Sequence, residues 1–336
     1  MKAVAFYRPL PIDDADSLVD VTLETPAPAG RDLLVKVAAV SVNPVDTKVR
    51  RRPVTDPDQP KVLGWDAAGT VEAAGRDCLL FKPGDKVWYA GSIARPGSDA
   101  EYQLVDERIV GRMPGNLSFA EAAALPLTSI TAWEMLFDRF ALRIGKPAAA
   151  GGLLIIGGAG GVGSIAVQLA RRLTGLEVIA TASRPETQAW CRELGAHHVI
   201  DHTRPLGPQL EAVGRKTVDY IFSTTATAQH LAAIPDLLAP QGRFGLIDDP
   251  PALDAMPFKR KSASVQWEFM FTRPVFGTAD MIQQHALLDE VARMVEDGLV
   301  RSTLTERMGR INAANLRRAH ALIESGRARG KVVLEW

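Results

Sequence analysis

Five glycines, at 157, 158, 160, 161 and 163, follow the apolar run Leu153-Leu154-Ile155-Ile156. The run has the character of a strand buried on both faces of a parallel sheet. Beyond the glycines, Val162, Ile165, Ala166, Leu169 and Leu173 recur at helical spacing. Gly158, Gly160 and Gly163 fit the G-x-G-x-x-G dinucleotide fingerprint. Its glycines serve three ends: a tight turn, backbone approach to a pyrophosphate, and close packing of helix on strand. Gly161 and Val162 would then open a helix whose free N–H groups and positive dipole end face the phosphates.

The second strand of such a unit ends where the adenosine ribose is read. An acidic residue there, about 20 residues past the glycines, selects NAD. Here the strand Glu177-Val178-Ile179-Ala180-Thr181-Ala182 runs into Ser183-Arg184. Glu177 stands at the wrong end, and Glu186 falls inside the next expected helix. A hydroxyl beside a guanidinium suits a 2′-phosphate, which arginine grips with paired hydrogen bonds. The expected cofactor is therefore NADPH. The alternative for Arg184 is a solvated loop residue.

The chain that must position these groups has 336 residues, room for about two domains. Its composition, 46% apolar and 23% charged, is that of an ordinary globular protein. The 39 basic residues balance 39 acidic ones, so charge gives no reason to expect nucleic acid or an anionic membrane. Two cysteines, Cys78 and Cys191, cannot build a disulfide framework and fit a reducing compartment. No apolar run reaches the ~18 residues of a membrane span, and no signal-peptide core opens the sequence; the cytoplasm is the expected location.

Over the first 110 residues short strands alternate with glycine- and proline-bearing turns. This reads as an antiparallel β domain, bent into a barrel-like sheet at Gly64, Gly69 and Gly75. Ser118-Phe119-Ala120-Glu121 is a capping box. A second helix is expected over 125–137, and 146–152 reads as a loose connection. From Leu153, strands are expected at 153–157, 177–182, 198–201, 218–222, 243–247 and 263–269. Helices at 161–174, 185–194, 206–214 and 227–238 lie between them, which gives a doubly wound parallel sheet, an α/β class. Helices over 279–298 and 312–326 precede a last strand at 331–335.

Together these segments resemble the medium-chain dehydrogenase/reductase superfamily, and within it the zinc-free, quinone-oxidoreductase-like branch. The resemblance covers essentially the full length. It runs through Ser41-Val42-Asn43-Pro44-Val45-Asp46, Gly64-Trp65-Asp66, 81–87, 126–133, the glycine turn and Gly330-Lys331-Val332-Val333-Leu334. It implies a GroES-like β-barrel domain over 1–125 and 273–336, with a Rossmann NADPH-binding domain over 126–272. The active site is then expected in the cleft between the two.

Zinc-dependent members of the superfamily place a cysteine where this chain has Asn43, and Gly-His-Glu where it has Gly64-Trp65-Asp66. Trp65 cannot ligate zinc, and a structural zinc lobe needs four closely spaced cysteines. His197-His198 suits a surface turn better than a ligand set. No metal is expected. Without a Lewis acid to polarise an alkoxide, the reaction that remains is hydride donation to an acceptor already conjugated, a quinone or an enone. Such a site needs positioning and hydrogen-bond donors to the acceptor's oxygen.

The resemblance places Asn43 beside nicotinamide and acceptor, and Thr128 against the nicotinamide. Tyr89 as a donor and Trp65 as an aromatic wall are further candidates; for Trp65, core packing is the alternative. Asp46 reads as the holder of a backbone turn more than as a proton carrier. His202 stands where related reductases put an aromatic beside the adenosine phosphate, and Lys331 matches a basic residue of the closing motif. The acceptor pocket is expected to be shaped by the loops 50–60 and 90–99. A dedicated biosynthetic enoyl reductase and a non-catalytic NADPH-binding scaffold are the competing readings. Val265, Trp267 and Phe269, on a strand at the sheet's edge, point to a homodimer joined there.

Overall fold

The computed structural model describes residues 1–53, 56–145 and 151–336. The chain divides into two compact units, one of Met1–Ile130 with Phe271–Trp336, the other Thr131–Met270. The expected loose connection at 146–152 and loop 50–60 lie partly outside the described residues.

Along the chain come β1 (Lys2–Phe6), β2 (Val19–Thr22), β3 (Asp32–Val42), α1 (Pro44–Arg50), β4 (Lys61–Val62), β5 (Ala67–Ala74) and β6 (Lys86–Tyr89). They are followed by β7 (Tyr102–Asp106), β8 (Val110–Arg112), α2 (Phe119–Ala123) and α3 (Pro126–Trp133). The next stretch holds β9 (Gly152–Ile156), α4 (Gly161–Leu173), β10 (Glu177–Thr181), α5 (Pro185–Glu193), β11 (His198–Ile200) and α6 (Leu206–Ala212). Then come β12 (Val218–Ser223), α7 (Thr227–His230), α8 (Ile234–Leu237), β13 (Leu238–Leu246) and β14 (Ser264–Trp267). The chain closes with α9 (Thr272–Phe276), α10 (Gln283–Glu296), β15 (Leu304–Arg310), α11 (Ala313–Glu324) and β16 (Lys331–Glu335).

In the first unit β3 is the organising strand. It pairs antiparallel with β5, β7 and β16, within a sheet ordered β15-β16-β3-β5-β6-β8. A Cβ at Gly69 would lie 2.3 Å from the Lys36 carbonyl oxygen, so only glycine lets β5 bend this closely over β3. The register Val332↔Val42 between β16 and β3 brings Lys331 beside Asn43, although the two are 288 residues apart in sequence.

The second unit is a six-stranded parallel sheet in the order β11-β10-β9-β12-β13-β14. This is the doubly wound order, with the central β9 buried along its whole length. Leu154, Ile156, Ile179, Ile221, Phe244 and Leu246 belong to its core. β14 is one edge. Val265 packs against that core, whereas Trp267 and Phe269 are 55% and 49% exposed.

Local differences from the sequence reading have local causes. The helix expected over 227–238 is two short turns, α7 and α8, because Pro235 lacks the N–H that a continuous helix would need. The helix expected over 125–137 stops at Trp133 and widens into a π-helical turn, Glu134–Arg139. Two elements lack a hydrophobic signature and went unforeseen: α1, only seven residues long, and β15, which is mostly polar.

Candidate active site

The dinucleotide cradle is built at the C-terminal ends of β9, β10 and β11. Gly157 sits at φ +84, where a Cβ would also meet Thr224 Oγ1 at 2.5 Å. A Cβ at Gly158 would lie 2.7 Å from the Ala180 Cβ, and one at Gly163 only 2.2 Å from the Gly157 carbonyl oxygen. Those three glycines are required by the fold itself. At Gly160 the nearest atom to a Cβ would be 3.5 Å away, so internal packing does not demand glycine there, and the space in front of its backbone stays open. Gly160 caps α4, and its carbonyl accepts the Ser164 amide. The amides of Gly161, Val162 and Gly163 donate to nothing among the described residues. Three free donors at a helix N-terminus, with an open approach, fit a pyrophosphate.

Thr181, at the end of β10, was not foreseen in the cradle. Its hydroxyl accepts the Gly157 amide at 3.0 Å and lies 3.3 Å from His202 Nδ1. The signal was its position two residues before Ser183. Ser183 and Arg184 follow β10 and are half-buried. The Arg184 guanidinium pairs with Glu186 at 3.1 Å, and the Arg184 amide donates to Thr187 Oγ1 at 3.2 Å. An incoming anion must therefore compete with the Glu186 carboxylate for Arg184.

The other candidate residues belong to the first unit and form a closed network. Asn43 follows β3 and caps α1, and its amide donates to Asp46 Oδ2 at 2.5 Å, as expected of a turn-holding Asp46. The Asn43 side-chain nitrogen donates to the Ser41 carbonyl at 3.2 Å and to Asp66 Oδ2 at 3.1 Å. Its Oδ1 accepts from Lys331 Nζ at 2.5 Å. Lys331 also donates to Asp66 Oδ2 at 2.9 Å and to the Val42 carbonyl at 3.3 Å. Asp66 Oδ1 accepts the Leu127 amide at 3.0 Å, which ties α3 and its Thr128 to the cluster. Thr128 itself donates to the Leu125 carbonyl at 3.0 Å. Asn43, Asp66, Thr128 and Lys331 are all at most 3% exposed. Asp66 is the hub that sequence reasoning quoted but did not nominate.

Burial pushes the Asp46 carboxyl up to about 7 against the lowering pull of the Asn43 amide and Lys331. Its Oδ1 has no hydrogen-bond partner among the described residues. Asp99 is raised well above the carboxylate range, by burial first and then by Asp46. Asp99 and Ser98 lie in the expected loop 90–99 but were not singled out within it. They pack against Gly64, whose φ of +90 and close neighbours, with Asp99 Oδ1 2.6 Å from where a Cβ would be, exclude a side chain.

Trp65 and Tyr89 are wholly buried, and a Cβ on Gly91 would lie 3.7 and 4.0 Å from their rings. Trp65 packs edge-on against Phe271 at 6.2 Å between ring centroids. Among the described residues, neither the Trp65 Nε1–H nor the Tyr89 hydroxyl has a hydrogen-bond partner. Burial raises the Tyr89 phenol, so it is a neutral donor across the physiological range.

Residues 29–133 match the alcohol dehydrogenase GroES-like domain family, and residues 194–334 match the zinc-binding dehydrogenase family. A zinc-type alcohol dehydrogenase-like protein of Staphylococcus aureus is 44% identical over 99% of both chains. The chain belongs to the medium-chain dehydrogenase/reductase superfamily. A Rhizobium etli structure described as of the zinc-dependent alcohol dehydrogenase type shares 62% identity, covering 100% of this chain and 98% of that one, with a TM-score of 0.95. A quinone oxidoreductase from Pseudomonas syringae shares 25% identity over 100% and 99% of the two chains, with a TM-score of 0.84. In this superfamily member a GroES-like domain accompanies the parallel-sheet, Rossmann-like domain.

The zinc in those relatives' names poses a test of fit. At the positions in question stand a carboxamide, Asn43, an indole, Trp65, and a carboxylate, Asp66. Indole nitrogen is a donor only, and the Lys331 ammonium is already bonded to both Asn43 and Asp66. A second cation would have to displace it. These residues do not fit a zinc ion.

Proposed function

We propose that this oxidoreductase takes hydride from NADPH and delivers it to a quinone or an α,β-unsaturated carbonyl, without a metal. The observation that carries the reading is Lys331 locked between Asn43 and Asp66, where alcohol oxidation would call for a Lewis acid. A conjugated acceptor spreads the developing charge over its own π system and needs only positioning and donors. The similarity to a quinone oxidoreductase supports the same acceptor class. The bound nicotinamide would supply the hydride. The free amides of Gly161, Val162 and Gly163 would hold its pyrophosphate, and Ser183, Arg184 and His202 its adenosine phosphate.

Both amide hydrogens of Asn43 are spoken for inside the protein. Its role in this reading is to shape the wall beside Thr128, and the unpaired Tyr89 hydroxyl is the donor for the acceptor's oxygen. Anaerobic steady-state oxidation of NADPH with a panel of quinones and enones tests the assignment. At least one class should turn over, a chelator should leave the rate unchanged, and NADH should serve less well. Asn43→Ala, by loosening that wall and misplacing the acceptor, should lower turnover by about tenfold or more while NADPH affinity stays within a few-fold. A loss under about threefold would remove Asn43 from the site, and no turnover with either class would favour a binding scaffold.

Exposed Trp267 and Phe269 at the β14 edge support a homodimer joined there. Light scattering should give twice the mass of one chain, and Trp267→Glu should halve it. A wild-type monomer at micromolar concentration would reject the dimer.

A further inference from the structure

The second unit begins at Thr131 and ends at Met270, so the chain enters it just before Glu134 and leaves it just after Glu268. Both side chains are buried, Glu134 at 0% and Glu268 at 3% exposed, and no step of the proposed reaction uses either. Arg139 Nε donates to Glu268 Oε2 at 2.8 Å. Glu134 and Arg139 open and close the π-helical turn, in which the Phe140 amide donates to the Met135 carbonyl, five residues back, at 2.8 Å. Residues five apart stand about 140° apart around an α-helix. The wider π turn returns them toward one face, and β14 packs on this turn. At the end of β14 the Glu268 amide donates to the Leu246 carbonyl at 3.1 Å. That backbone bond leaves the Glu268 side chain inside while Trp267 and Phe269 on either side are exposed.

The carboxyl groups of Glu134 and Glu268 are hydrogen-bonded to one another. Ionised carboxylates only accept, so that bond requires a proton on one of them. Charge leads to the same conclusion: two buried carboxyls meet one guanidinium, and a single proton on the pair balances the three groups.

We propose that Glu134 and Glu268 share one proton beneath Arg139, and that this proton latches the two ends of the second unit together in a contact that loosens as the pH rises. Opening the latch exposes both carboxyls to water, where they ionise and release the proton to solvent. Burial first, and then Glu134, push the Glu268 carboxyl up, against the pull of Arg139. Elsewhere on the turn Asp138 is exposed, and from β13 Arg243 donates to the Phe140 carbonyl. On β14, Gln266 is neutral. Near neutral pH the closed pair therefore holds a proton that the open pair has lost, and raising the pH favours opening.

The test compares wild type with Glu134→Gln and Glu268→Gln from pH 6 to pH 8. Either carboxamide supplies a fixed N–H in place of the shared proton, and melting curves at pH 6 check that the variants are folded. Amide hydrogen exchange is followed in the segments 134–140 and 264–270, and dividing by the variant at each pH removes the intrinsic rise of exchange with pH. Exchange in wild type should rise relative to Glu134→Gln by about tenfold per unit of pH, one proton being released on opening. Difference infrared spectra at pH 8 should show a protonated carboxyl band in wild type that each variant lacks. Identical carboxyl bands in the three proteins would overturn the shared proton. A band present in wild type, with exchange running parallel to the variants, would overturn the latch.

Discussion

The glycine turn after β9 and the Asn43 cluster beside β16 treat polar groups in opposite ways. At the turn, the amides of three consecutive residues, Gly161 to Gly163, have no partner among the described residues, and the space before Gly160 is open. In the cluster, Lys331 uses all its donors, Asn43 uses both amide hydrogens and its oxygen, and Asp66 accepts through both carboxylate oxygens. A group left unpaired in a folded protein is expensive unless a ligand or water satisfies it. In the proposed reading the turn is a place for a ligand's atoms, and the cluster is a piece of framework that happens to be ionic. Truncating one member of such a buried pair leaves the other uncompensated, which is why a framework role does not make these residues dispensable.

The largest effect that could break this comparison is at Gly163. Gly163→Val places a side chain 2.2 Å from the Gly157 carbonyl oxygen, a backbone atom that cannot move without opening the turn. Overpacking of this kind costs about 1–3 kcal/mol or more, so a clear fall in melting temperature and loss of dinucleotide binding are expected together. Gly160→Ala is the counterpart. Its φ of −72 suits alanine, and its Cβ meets nothing closer than 3.5 Å. The melting temperature should stay near wild type while cofactor affinity falls about tenfold, roughly 1.4 kcal/mol. Equal affinity in Gly160→Ala and wild type would mean that no ligand approaches that backbone.

How much of each region the sequence disclosed follows from the same contrast. The cradle was legible because its constraints are local: a buried strand, glycines at fixed spacing and a helix within some 20 residues of chain. The parallel, doubly wound character of the sheet followed from the alternation of strand and helix. The cluster depends on β16 returning to β3, and nothing in the spacing of Asn43 and Asp66 says that an ammonium from residue 331 will lie between them. The resemblance brought Lys331 and Asn43 into one account, but not the bond between them. Ser98 and Asp99 fall inside the loop 90–99 expected to shape the pocket, but their closeness to Gly64, a turn residue at φ +90, is not readable from spacing. Short α7 and α8 show the reverse: Pro235 is plain in the sequence, and it divides the helix expected over 227–238.

The smaller expected effect sharpens the comparison from the framework side, at Asp46. Burial holds its carboxyl at about 7, whereas an unfolded aspartate titrates near 3.8. Between those values the folded chain carries a proton that the unfolded chain has released. Folding then binds protons, so raising the pH from about 4 to 7 withdraws stability, on the order of a few kcal/mol at most, and above about 7 the loss is complete. Asp46→Asn keeps an oxygen for the Asn43 amide and removes the titration. Denaturant midpoints of the variant should therefore vary less over that window, with wild type losing stability relative to it as the pH rises. Asp99 should amplify the wild-type loss, since each charge formed at Asp46 opposes one on Asp99. If the two proteins run parallel from pH 4 to pH 8, Asp46 is ionised throughout, and Lys331 then compensates more carboxylate charge than its three hydrogen bonds imply. In that case the cluster would be held by net attraction to one ammonium, and Lys331→Met would unfold it rather than loosen it.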